Sequence, residues 1–555
     1  MIWDNIKRYC WSHWIALNLE RRYIGSRFAR TLFLIAFLAM CFTILHAKLF
    51  LVFHSRIDGS NNDTIISTTK ATFARKRVDI LDRNGMLLAR NVASYDLYLK
   101  PSAMFDIDGD LEKLVAIFPT IAQRKEKILN SINNKINDPK QIVLVIQNIL
   151  DKKKEEVINS GIIGLHFEEN QRRVYSQDNI AAHLVGFLID DSGAIGIERS
   201  FDSYLKNTTN QPLELSIDIN IQSLVHHAMI DAIHKYEANA ATGLIMNVKT
   251  GEILAAVSLP DFDPNNLSHL KQDNLLNRFS MGVYELGSVF KIFLAALAAE
   301  RNIPWNKRYN TINPLIIGHH TIRDFSGILP RETMNIVDII KYSSNIGCGH
   351  IMIDVGVDAQ KELFSKLGLT SKLDIEISEA GSPIVPHRWK MTQAITISYG
   401  HGIAVTPLHF ITAASAIING GVIKPTFLKI NDVTDIKYGN DVISRKSSIM
   451  VKDLLRTVVL SGSGKKGAAE KYDVGGKSGT AIQVVDGKYH RRNVIISFFA
   501  AIPIGEPEYA FYITLHSPRI TNANNLRTTG GSIVAPIISN IISLIGPMLG
   551  VSMIK

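Results

Sequence analysis

Cysteine is nearly absent from this chain of 555 residues: Cys10, Cys41 and Cys348 are far apart, and no internal disulfide framework can be drawn from them. The fold has to stand without covalent staples. No repeat of ~20 to 50 residues is visible, which sets solenoids and propellers aside. Charged residues make up 20% of the chain against 46% hydrophobic ones, a balance that excludes a disordered or fibrous protein. Single hydrophobic cores stop growing near ~250 to 300 residues, so at least two folded domains are expected.

The formal charge of +10 invites a nucleic-acid reading, but its distribution argues against one. Within residues 1–30, Lys7, Arg8, Arg21, Arg22, Arg27 and Arg30 face only Asp4 and Glu20. This basic tail abuts the one long apolar run, Thr31 to Phe53, broken only by His46 and Lys48 near its far end. Such a run matches the ~20 residues that cross a bilayer core, and Lys48 can snorkel to the headgroups. By the positive-inside rule the tail stays in the cytoplasm and everything after residue 53 lies outside it. A cleaved signal peptide would have a shorter apolar region and a small-residue cleavage site, so a retained single-pass signal anchor is expected.

Residues 54–63 are polar and turn-rich and read as a linker. VDILDRNGMLLA places Asn84-Gly85 between two apolar stretches, a strong hairpin signal. From Leu111 to about Ser160 the pattern is charged and reads as helical. The polar run Lys206 to Pro212 is taken as a boundary, giving a scaffold over 54–210 and a second domain over 211–555. That second domain opens with LELSIDINIQSLVHHAMIDAIHKY, a strand turning into an amphipathic helix, followed by a hairpin about Lys249-Thr250-Gly251. Strands return in VIISFFAAIP and YAFYITLHS before a final apolar helix near Ile537 to Ile545, so an α+β domain with an antiparallel sheet flanked by helices is expected.

The sharpest local signal is YELGSVFKIFLAALAAE, where a strongly helical run begins at Ser288. Positions i and i+3 share a helix face, which would set the Ser288 hydroxyl beside the Lys291 amine at the first turn. The electropositive helix start disfavours a protonated lysine and stabilises a developing oxyanion. Spacing alone does not single Ser288 out, since Ser-x-x-Lys also starts at Ser67, Ser203, Ser268 and Ser463. Two further elements are KYSSNIG, containing Ser343-Ser344-Asn345, and VGGKSGTA, containing Lys477-Ser478-Gly479-Thr480.

Together the three resemble the motif set of serine β-lactamases and penicillin-binding proteins. Ser60, Ser131 and Lys249-Thr250-Gly251 imitate single elements, but only Ser288, then Ser343 to Asn345, then Lys477 to Thr480 follow the family order. The resemblance implies that Ser288 is the nucleophile and that Ser343 relays a proton to the leaving amine. It implies that Asn345 holds Lys291 and the substrate amide, and that the backbone N–H groups of Ser288 and Thr480 form an oxyanion hole. Lys477, with Ser478, Gly479 and Thr480 on an edge strand, would bind the substrate carboxylate, and Gly475 and Gly476 would let backbone approach closely.

The resemblance covers nearly the whole chain and looks closest to class B penicillin-binding proteins of the division-specific type, through RVDILDRNG, RRVYSQDNIAAHLVGF, GIERSFDSYL, IIGHHTIRD, ISYGHGIAVTPL and TGGSIVAPI. It implies an α+β multidomain architecture: a transmembrane anchor, a mixed α/β pedestal over 54–210 and a transpeptidase domain over 211–555. Leu286 stands where most relatives carry proline, and the link from Leu205 to Leu215 is short. The expected activity is peptidoglycan D,D-transpeptidation, probed by β-lactam antibiotics, with neither cofactor nor metal and no nucleic-acid partner. Residues 54–210 are too few for a glycosyltransferase domain, so the implied partners are a membrane glycosyltransferase and other division proteins. A β-lactam hydrolase or sensor and a catalytically silent scaffold are the competing functions. Asp374, Glu376 and Glu379 in LDIEISEAGS lack the asparagine that accompanies a hydrolase glutamate, and Glu379 reads as part of a surface turn.

Overall fold

The computed structural model describes residues 77–554 apart from 136–137, 139, 208, 269, 319, 326–330, 433–437, 486–487 and 520–527, together with residues 40, 42 and 43. The expected span 31–53 and the basic tail therefore lie almost wholly outside the described residues. Among the described residues no helix is long and apolar enough to cross a membrane. Residues 74–555 form one compact unit.

The first part is built on a five-stranded sheet. Strand β1 (Ile80–Leu81) turns through Asn84-Gly85 into the long β2 (Leu87–Leu99), with which it pairs antiparallel, as the hairpin signal predicts. Helices α1 (Ile107–Ile117) and α2 (Lys125–Lys135) follow, then β3 (Val143–Ile149), α3 (Asp151–Asn159) and β4 (Leu165–Tyr175). Strand β3 corrects the helical reading of 111–160. VLVIQNI is a short β-branched run bounded by polar turns, and pairing with β2 decides its state. Strand β5 (Leu213–Glu214) adds parallel to β1, and the next residue, Leu215, already bridges to Leu428.

A fully buried Glu198 accepts from Arg77 Nη2 and from Arg173 Nε, both at 2.7 Å, while Arg77 Nη1 also reaches Asp202 at 2.8 Å. These ion pairs join the residues just before β1, β4 and the GIERSFDSYL segment. Glu379, expected in a surface turn, instead accepts from Gly196 N at 3.2 Å and so ties this region to the part that follows.

Beyond β5 come α4 (Ile219–Tyr236), β6 (Ala240–Asn247) and β7 (Ile253–Leu259), then α5 (Lys291–Glu300), α6 (Ile336–Tyr342), α7 (Asn345–Val355) and α8 (Val357–Lys366). Helices α9 (Met391–Ser398), α10 (Pro407–Asn419) and α11 (Arg445–Ser461) lead to β8 (Gly475–Val485), β9 (Lys488–Ile502), β10 (Tyr509–His516) and α12 (Ala535–Ile545). The strands form one antiparallel sheet in the order β8-β9-β10-β6-β7, so β8 is an edge. Ile221, Val225 and Met229 of α4 and Ile538 and Ile542 of α12 pack on one face against Phe498, Phe511 and Ile513. Phe290, Phe293, Phe364 and Phe410 fill the other face, where the Phe410 ring lies 4.4 Å from that of Tyr512. Helix α5 is apolar all round and buried along nearly its whole length, as a helix inside a large core should be. It is a rigid mount for what precedes it.

Candidate active site

The chain enters α5 through a 3-10 turn, Gly287–Phe290, which carries the half-buried Ser288 at its start. Gly287 has φ +64°, and a Cβ there would come within 2.4 Å of Thr480 O. Nucleophile turn and edge strand therefore touch backbone to backbone. On the strand, the residue that permits this is Gly479, whose added Cβ would meet Leu286 O at 2.7 Å. Gly475 and Gly476, expected in that role, face Ile504 and Phe499 O instead. Leu286 itself is fully buried.

The second motif sits at a helix-to-helix corner. Helix α6 ends on Ser343 in the left-handed conformation, φ +68° and ψ +38°, and Ser344 caps α7 by accepting from Gly347 N at 3.0 Å. This turns Ser343 and Asn345 toward Lys291, whose Nζ donates to Ser343 O at 2.6 Å, Ser343 Oγ at 3.0 Å and Asn345 Oδ1 at 2.9 Å. Lys477 of β8 donates to the same Ser343 Oγ at 3.2 Å and to Ser478 O at 3.0 Å. The hydroxyl–amine contact expected between Ser288 and Lys291 is replaced by this arrangement, because the three acceptors of the α6–α7 corner occupy the amine. Among the described residues Ser288 Oγ has no hydrogen-bond partner.

Both amines are completely buried. Burial lowers Lys291 below the 10.5 of a free lysine and lowers Lys477 further, with the charge of Lys291 as a second cause. The neighbouring Cys348 thiol is pushed up to about 11 by burial, and His401 is pushed down to about 4 by burial and by the Lys291 charge. Burial disfavours charge on both amines, and for Lys477 the charge of Lys291 adds to it. A lysine that has shed its proton can take one from a serine.

The sequence singled out Ser288, Lys291, Ser343, Asn345, Lys477, Ser478, Gly479 and Thr480, and the fold brings all of them to the junction of α5, the α6–α7 corner and β8. Three contributors escaped it. Asp324 Oδ1 accepts from Ser344 Oγ at 3.0 Å and from Ile346 N at 2.9 Å, and also from Asn345 N. The loop after α9 holds the nucleophile turn: Gly287 N donates to Gly400 O at 3.1 Å, and Gly402 N donates to Glu285 Oε1 at 2.7 Å. The Thr529-Gly530-Gly531 segment reaches β8 through Gly530 N and Thr480 Oγ1 at 3.4 Å. Each lies in a stretch quoted above for its resemblance, but only the fold shows what it touches. No cluster of histidine, cysteine and carboxylate side chains suited to a metal occurs among the described residues.

An antiparallel sheet packed between helices, with a serine at a buried helix start facing a Ser-x-Asn corner and a lysine-bearing edge strand, defines a class. Residues 241–543 match the penicillin binding protein transpeptidase domain and residues 74–212 the penicillin-binding protein dimerisation domain, and the chain belongs to the penicillin-binding protein transpeptidase family. It is 32% identical to the probable peptidoglycan D,D-transpeptidase FtsI of Caulobacter vibrioides over 493 residues, covering 86% of this chain and 82% of that protein. It is 27% identical to the peptidoglycan D,D-transpeptidase FtsI of Escherichia coli K12, covering 82% and 81%. The crystal structure of penicillin binding protein 2X from Streptococcus thermophilus shares the fold, with a TM-score of 0.68 at 21% identity over 86% of this chain and 81% of that one.

Proposed function

We propose that this chain is a peptidoglycan D,D-transpeptidase of cell division that cross-links stem peptides ending in D-Ala-D-Ala through an acyl group on Ser288. The observation that carries the reading is the meeting of Lys291, Ser343, Asn345 and Lys477 under the turn that bears Ser288. A donor peptide laid along β8 pairs its backbone with the sheet edge and sets its terminal carboxylate near Lys477, Ser478 and Thr480. Ser288 Oγ then attacks the penultimate carbonyl as its proton passes to the neutral Lys291 amine, and the oxyanion collects at the N–H groups of Ser288 and Thr480. Each such donor is worth ~3 kcal/mol in the transition state. Through Ser343 the proton reaches the leaving D-alanine nitrogen as its C–N bond breaks. An acceptor amine then attacks the ester, gives up a proton by the same route, and restores the Ser288 hydroxyl.

In this reading residues 31–53 anchor the chain in the inner membrane, 54–210 serve as a pedestal and 211–555 carry the chemistry. The partners are lipid-linked nascent glycan, a membrane glycosyltransferase and other division proteins, and β-lactams are suicide substrates. A hydrolase would need a carboxylate positioning water on the ester. Glu376 is instead spent on Thr426 Oγ1 and Phe427 N, and Glu379 on Gly196 N.

The test acylates the purified protein with benzylpenicillin, removes free drug and follows the adduct by mass spectrometry. A second arm supplies a D-Ala-D-Ala donor and an amine acceptor. An adduct outlasting many acylation times, with a cross-linked product in the second arm, supports the reading. Free enzyme recovered within seconds identifies a hydrolase, and no adduct at all identifies a scaffold.

A further inference from the structure

We propose that Asp324 is a positioning residue for acylation, a carboxylate that fixes the Ser343–Asn345 corner and supplies negative charge to the buried Lys291. The inference rests on the reading that Ser288 is the acylated group.

Asp324 follows the short strand His320–Ile322, and its single oxygen Oδ1 receives three donors from consecutive residues: Ser344 Oγ, Asn345 N and Ile346 N. The first N–H groups of a helix have no partner within it, and a carboxylate there also meets the positive end of the helix dipole. Ser344 already caps α7 through Gly347 N, so Asp324 serves the two N–H groups that the cap leaves over. Holding Asn345 at its backbone aims Oδ1 at Lys291, and fixing Ser344 holds the preceding Ser343 in its left-handed conformation between two amines.

Charge makes the second half of the case. Around Lys291, α7 presents the neutral Asn345 and the Cys348 thiol, β8 presents Lys477, and the loop after α9 presents His401. Glu285 is turned away to Gly402 N and the Tyr489 hydroxyl. Among these groups Asp324 is the carboxylate whose field reaches Lys291, and that field opposes the effect of burial. Without it the amine would be held still lower and lose basicity.

The test measures second-order acylation by benzylpenicillin against pH for the full chain and for Asp324→Asn and Asp324→Ala. Asparagine keeps an acceptor oxygen in place and removes only the charge. Acylation needs the free amine, so the acidic limb of the profile should move to lower pH in Asp324→Asn, with a tenfold relative gain on that limb for each unit of displacement. Asp324→Ala should share that displacement and in addition lose at least about tenfold on the plateau above the limb, because the corner is no longer held. A merely structural aspartate would leave the limb where it is. An Asp324→Asn limb coincident with wild type overturns the proposal, even if the alanine variant does not fold. Should wild type carry no adduct on Ser288, the functional reading fails first, and the two failures are told apart.

Discussion

Lys291 and Lys477 meet at one hydroxyl: Ser343 Oγ lies 3.0 Å from the first amine and 3.2 Å from the second. Neither lysine reaches solvent, and in the proposed mechanism this hydroxyl carries the proton between Lys291 and the leaving group.

Ser343 carries two separable roles. Its hydroxyl links the amines, and its backbone sits at φ +68°, where an alanine is strained by ~1 to 2 kcal/mol and a glycine is not. Ser343→Gly and Ser343→Ala should both slow penicillin acylation by about 100-fold. Alanine keeps the strain that serine already carries, so of the two variants the glycine one should unfold at the higher midpoint. Equal stability of the two would remove the strain from the account.

The buried lysines also couple stability to pH. Their pKa values are depressed on folding, so between the folded values and the 10.5 of the unfolded chain the unfolded state binds more protons. Stability from these groups therefore rises with pH through that window and stays level below it, where both states carry the proton. Lys477→Met removes one of them. The unfolding free energy of wild type minus that of the variant should increase with pH below 10.5; a flat difference contradicts the assignment.

Gly400 holds the nucleophile turn. At φ +83° with a would-be Cβ 2.0 Å from Gly287 O, Gly400→Ala cannot be accommodated without moving Ser288. A loss of more than about 1 kcal/mol in denaturant titration is expected, together with slower acylation. Acylation at the wild-type rate would mean that the turn is set by other contacts.

Glu198 tests the scaffold apart from the chemistry. Its replacement by alanine leaves Arg77 and Arg173 buried without their shared partner, which should cost ~3 to 5 kcal/mol in chemical unfolding. Molecules that remain folded should still be acylated on Ser288.

Much of this was legible before any coordinates. Asn84-Gly85 and Lys249-Thr250-Gly251 mark real hairpins, because a tight turn is specified by two or three residues. The i, i+3 step from Ser288 to Lys291 was visible for the same local reason. What the sequence withheld was non-local. VLVIQNI becomes a strand only through pairing with β2, and the partners of Lys291 lie more than fifty residues away. Asp324 sits in a stretch noted for resemblance, yet its task is defined by three donors that follow it by about twenty residues.

The central claim is that Ser288 is the acylated nucleophile, and fluorescent penicillin tests it most directly. Wild type and Ser288→Ala are labelled side by side, the fold of each is checked by thermal unfolding, and the labelled peptide is mapped by mass spectrometry. The account predicts one adduct per wild-type chain, on Ser288, and none on a folded Ser288→Ala variant. A covalent adduct on that variant, or one mapping to any other residue in wild type, would contradict it.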